Sequence, residues 1–97
     1  MTVTFYKNTQ TGKSQYYSLH DRQGDLFTPY VLTAIWGKDL NSGRSKVYTF
    51  KSGDDLDLKL RKLFVQRIRM GYKVLYSFAR SPRYRKMFRE LEKASSE

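Results

Sequence analysis

The residues best suited to chemistry stand close together. Trp36, Gly37 and Lys38 close the alternating apolar run "YVLTAIW", and Gly43, Arg44 and Lys46 follow across a short loop. An aromatic ring at a strand end, a flexible glycine beside it and cations around it form a layout that can stack on a base or sugar while holding phosphates. A lone strand tryptophan also has a plainer reading as a core residue. Residue types alone leave both open.

Other chemistry has little to work with. His20 is the single histidine, flanked by Asp21 and Arg22, and the chain has no cysteine, so neither a histidine-rich nor a thiolate metal site can form. A Ser-His-Asp arrangement would need partners that nothing marks, and His20 is expected to be a surface polar residue. The "DDLD" cluster at residues 54–57 could hold a divalent cation through oxygens, but a helix start explains it through dipole and capping chemistry. "GKDLNSGR" does not have the spacing of a phosphate-cradling nucleotide loop, because its lysine follows the first glycine rather than the last. An enzyme is therefore not expected, nor a catalytic residue, a cofactor or a metal.

Charge points to a partner. Lys and Arg number 19 against 9 Asp and Glu, a formal net charge of +10. No acidic residue occurs between Asp57 and Glu90, whereas Lys and Arg occur there eleven times. Such a surface attracts polyanions, nucleic acid first among them. The N-terminus lacks a basic region followed by an apolar run, and no segment is long and apolar enough to span a membrane. With no cysteine to protect, a soluble, cytoplasmic protein without a membrane partner is expected.

The elements that must position these residues follow from periodicity. "TVTFYK" and "SQYYSLH" read as two strands of a hairpin around "NTQTGKS", "YVLTAIW" as a central strand apolar on both faces, and "RSKVYTF" as the strand after the "GKDLNSG" loop. Alternation sets Tyr17 and Leu19 on one face, Tyr16 and Ser18 on the other; likewise Leu32, Ala34 and Trp36 oppose Val31 and Ile35. From residue 52 the period becomes helical. Ser52 caps a helix over about 53–70, Leu56, Leu60, Leu63, Phe64 and Ile68 form its stripe, and Gly71 ends it, while Leu58 and Val65 fall off the stripe. "YKVLYSF" is a final strand. Ser81 and Pro82 open a short helix over about 82–94 carrying Tyr84, Met87, Phe88 and Leu91 at helical spacing. The fold class is α+β: a twisted, mostly antiparallel sheet with one main helix packed across it and a short C-terminal helix. The sheet and main helix define a domain over about 1–80. Residues 81–97 read as a basic helical extension, docked on the sheet edge or awaiting a partner.

The succession of motifs resembles the WGR domain, named for its Trp-Gly-Arg motif and found in poly(ADP-ribose) polymerases and in small bacterial proteins. "SQYYSLH", "YVLTAIWGK", "GRSKVYTF", "KSGDD" and "RIRMGY" are similar to its successive strands, glycine turn, helix start and helix end, over residues 14 to 72. The resemblance implies a twisted antiparallel sheet crossed by one helix. It also implies that Trp36 stacks near the end of a broken DNA strand, with Gly37 allowing the tight turn and Lys38 in the arginine's place. Lysine meets a phosphate as a point charge and cannot make arginine's planar contacts, so Arg44 and Lys46 are expected to supply the remaining charge.

The sequence thus implies a non-enzymatic nucleic-acid-binding domain that takes duplex DNA or DNA ends through Trp36, Gly37, Lys38, Arg44 and Lys46. The alternative is a protein-interaction or adaptor module that docks an acidic partner, or a second copy, on its basic helix and C-terminal apolar face.

Overall fold

The computed structural model describes residues 1–22, 24–38 and 43–95. Its order is β1 (Thr2–Asn8), β2 (Ser14–His20), β3 (Val31–Gly37), β4 (Arg44–Thr49), α1 (Gly53–Arg69), β5 (Lys73–Phe78) and α2 (Pro82–Ser95). Every expected strand and helix is present. The five strands form one sheet in the order β4-β3-β2-β1-β5, and each neighbouring pair is antiparallel. β3 is interior, as its two apolar faces require, with β2 at the centre. The middle of the "GKDLNSG" loop, residues 39–42, lies outside the described residues.

Cross-strand register sorts the side chains onto two faces. Val3, Phe5, Tyr17, Leu19, Leu32 and Ala34 share the helix-covered face, where they form one cluster with Leu56, Leu60, Leu63 and Phe64 of α1. Phe5 meets Phe64 edge-on at 4.9 Å between ring centres. The opposite face carries Thr4, Ser18, His20 and Thr33, all buried, with the Thr4 and Ser18 hydroxyls 3.1 Å apart. Short polar side chains at the middle of a sheet are shielded by longer ones around them, and paired hydroxyls remove the cost of desolvation. His20 is among them at 5 % exposure, so it is not the surface residue expected. Its neighbours Thr2 and Thr33 flank it across the sheet, a relation no single strand reveals.

Both ends of α1 are set by sequence-local chemistry. The Ser52 hydroxyl accepts from the Asp55 N–H at 3.2 Å, and Asp54 and Asp55 place negative charge in the first turn. At the other end Gly71 takes φ 96° and donates to Ile68 O, while Tyr72 N–H reaches Arg67 O at 3.0 Å. That pair of bonds is a Schellman cap, and the positive φ is one that glycine adopts without a Cβ clash. Of the two residues off the stripe, Leu58 is exposed and Val65 is partly buried.

α2 is not a free appendage. Met87 and Phe88 are each 3 % exposed within the main cluster, Phe88 stacks on Phe64 at 6.1 Å, and Tyr84 and Leu91 pack against the same cluster. Arg83 bridges Asp54 and the buried Asp57, tying the start of α2 to the start of α1. The apolar face that the adaptor reading assigned to a partner is therefore occupied by the protein's own core.

Candidate nucleic-acid interface

α1 crosses the sheet obliquely. Its first residue, Gly53, lies near the Tyr30 ring at the start of β3, whereas its last turn leans toward β1, where Lys7 Nζ donates to Met70 O at 2.7 Å. The ends of β3 and β4 that carry Trp36 and Arg44 consequently lie beside the helix rather than beneath it. Burial along β3 records this: Val31 to Ala34 are buried, and Ile35, Trp36 and Gly37 are half-buried. Gly37 has φ 151°, a value that L side chains rarely adopt, so the chain leaves the strand here with a backbone glycine permits.

Trp36 is neither wholly core nor wholly free. Its ring lies beside Tyr17 on the neighbouring strand, 6.1 Å between centres and 26° between planes, and packs against the main cluster. On its other side it pairs with Arg44 of β4. Register thus lays Arg44, Trp36 and Tyr17 in a row on the helix side of the sheet, and Lys46 occupies that same face next along β4, opposite Ala34. Arg44, Lys46 and Lys38 are exposed. All five residues expected from the sequence, Trp36, Gly37, Lys38, Arg44 and Lys46, are gathered on this margin.

Two further cations join them from α1. The Arg67 guanidinium lies 3.7 Å from the Tyr17 ring centre and 5.6 Å from that of Tyr72, an aromatic seat of the kind arginine prefers. Lys59 Nζ and Lys46 Nζ lie 4.8 and 5.0 Å from the Tyr48 ring centre, one reaching from the helix and one from the strand. Sequence reasoning counted both only among the eleven positive charges between Asp57 and Glu90. The signal was a row: Lys59 and Arg67 stand four residues before and after Leu63, so both lie on the row that runs through Leu63 along the edge of the apolar stripe.

Among the described residues, no ion pair takes up Arg44, Lys46, Lys59 or Arg67. The Arg67 Nε is buried without a hydrogen-bond partner there. Burial raises the Tyr17 hydroxyl above its ordinary value, with the Arg67 charge acting in the opposite direction, so Tyr17 stays neutral at physiological pH. Among the described residues, the margin is therefore a ledge of rings and cations without ion-pair partners. Among the described residues, no group of three or more His, Asp or Glu side chains is placed to hold a metal ion, and no helix is long and apolar enough to cross a membrane.

Fold and site together define a small α+β domain with a basic, aromatic sheet margin. Comparison with models of known families, with curated proteins and with solved structures gave no match.

Proposed function

We propose that this chain is a non-enzymatic nucleic-acid-binding domain that takes duplex DNA, by preference at its ends, along the Trp36 ledge. One observation carries the reading: Arg44, Lys46, Lys59 and Arg67 meet at one margin around Trp36, Tyr17 and Tyr48 without a carboxylate partner among the described residues. Like charges so close repel one another and are stabilised by a bound polyanion, while a half-buried ring at a strand end offers a base or sugar a stacking surface. The resemblance to WGR domains supports the same residues and adds the preference for an end.

Salt dependence of duplex binding tests it. Contact with roughly five to seven phosphates gives a log affinity against log salt slope of about −4 to −6. The double change Arg44→Ala, Lys46→Ala should flatten that slope by about 2 while leaving the fold intact, because both side chains are exposed. A flat slope for the unaltered protein would sink the proposal. Equal affinity for an open duplex and a closed circle of the same length would remove the end preference and leave general duplex binding.

A further inference from the structure

At the opposite edge of the sheet, β5 presents two large aromatic side chains that the core does not use. Tyr76 and Phe78 are 54 % and 52 % exposed. They pair with Thr4 and Thr2 of β1, which places both on the face away from α1. There they border a cavity of about 760 Å³ floored by Thr4 and Ser18, with Arg22 and Arg80 at its rim. Asp21 also borders it, but its carboxylate is bound by the Met1 amino group at 2.6 Å. Phe78 borders a second cavity of about 520 Å³ on the helix side of the edge, together with Arg85 and Arg89 of α2. Glu92 lies there too and accepts from Ser77. Among the described residues none of the four arginines is in an ion pair.

We infer that this edge is a second nucleic-acid site, one that takes a single strand by stacking its bases on Tyr76 and Phe78. Residues two apart on a strand stand about 6.6 Å from each other on one face, roughly the separation of bases in an extended, unstacked strand and about twice that in a duplex stack. Within a duplex the base faces are hidden, so away from its ends it has nothing to offer exposed rings; a single strand offers a face with every nucleotide. Arg22, Arg80, Arg85 and Arg89 flank the rings on both sides of the edge, where the phosphates of such a strand would run. The Thr4 and Ser18 hydroxyls at the cavity floor accept and donate hydrogen bonds, as base edges require. The site shares no residue with the Trp36 ledge and stands whether or not that ledge binds duplex.

The test is fluorescence anisotropy of a labelled 15-nucleotide oligothymidylate against a closed circular duplex at one salt concentration. The unaltered protein should bind both. Tyr76→Ala with Phe78→Ala should weaken oligothymidylate binding on the order of 100-fold, since base stacking on one aromatic is worth about tenfold or more. Duplex binding should stay within about twofold. Arg44→Ala with Lys46→Ala should do the reverse, weakening duplex binding and sparing the single strand. Phe78→Trp should keep single-strand binding and Phe78→Leu should lose it, which separates stacking from apolar contact and still decides the matter if the double alanine variant unfolds. The inference is overturned if the unaltered protein does not bind oligothymidylate, if Phe78→Leu binds it as well as wild type, or if the Tyr76, Phe78 change weakens duplex and single strand alike.

Discussion

The two faces of the sheet are buried by different means. On the helix side, rings and aliphatic chains of Phe5, Tyr17, Leu19, Leu32, Leu60 and Phe64 interlock; on the open side, Thr4, Ser18, His20 and Thr33 are shielded at 2–7 % exposure by being short and surrounded. The first is apolar burial, which scales with area and supplies most of the stability of a small domain. The second contributes little beyond satisfying its own hydrogen bonds. Among the described residues, cations outside any ion pair lie where the apolar layer ends, at the β4 margin and around β5. Stability should therefore respond most to the helix side, binding to the margins, and pH to the open side.

The largest expected effect is on the helix side. Phe88→Ala removes a side chain 3 % exposed that stacks on both Phe64 and Tyr84, and should cost roughly 3–5 kcal/mol by denaturant unfolding. Removing residues 81–97 should do more harm, because Met87 leaves with it and the buried Asp57 loses its Arg83 partner. A truncated protein that kept the full-length midpoint would show that α2 merely covers the cluster.

Trp36→Ala lies at the boundary and should divide its effect. A half-buried ring packed on Tyr17 should cost about 1–3 kcal/mol of stability, less than a core aromatic, together with about 1–3 kcal/mol of duplex-end binding. Loss of stability with unchanged binding would make Trp36 a core residue alone. Further out, Lys46→Ala should leave the thermal midpoint within about 0.5 kcal/mol of wild type and flatten the salt slope by about 0.9, one phosphate's worth.

The features legible from the sequence are those decided within a few residues. Ser52 and Asp55, Gly71 and Tyr72, and the alternation of "SQYYSLH" each report local hydrogen bonding or side-chain direction, and each recurs in the structure. The gathering of Trp36, Arg44 and Lys46 was also legible, because a strand–loop–strand with antiparallel pairing puts residues equidistant from the turn opposite one another. What escaped depends on elements far apart in the chain. Lys59 and Arg67 join the ledge only because α1 crosses the sheet at one particular slant, and that slant is fixed by packing against Phe5 and Tyr17. The burial of His20 requires knowing that β1 and β3 flank β2. Docking of α2 depends on Phe64 offering Phe88 a face, which neither helix's periodicity announces.

His20 provides the smallest and most specific test of the difference between the faces. Its Nδ1 accepts from the Arg22 N–H at 3.3 Å, so the imidazole must be unprotonated there. Burial is the main cause that lowers its folded pKa beneath the ordinary 6.5; the Arg22 and N-terminal charges add to this, and Asp21 opposes it. A histidine whose folded pKa is depressed stabilises the fold above its unfolded pKa and loses that contribution as pH falls through the folded value. The thermal midpoint should hold level from about pH 8 to 7 and decline as pH drops below about 6.5, before most carboxylates titrate. Replacing His20 with Gln leaves an acceptor that cannot take up a proton, so the variant should be no more stable than wild type near pH 7.5 and should lose less stability toward pH 5. If wild type and His20→Gln declined in parallel, the acid sensitivity would lie elsewhere than in His20, and the open face would carry no titrating group that matters to the fold.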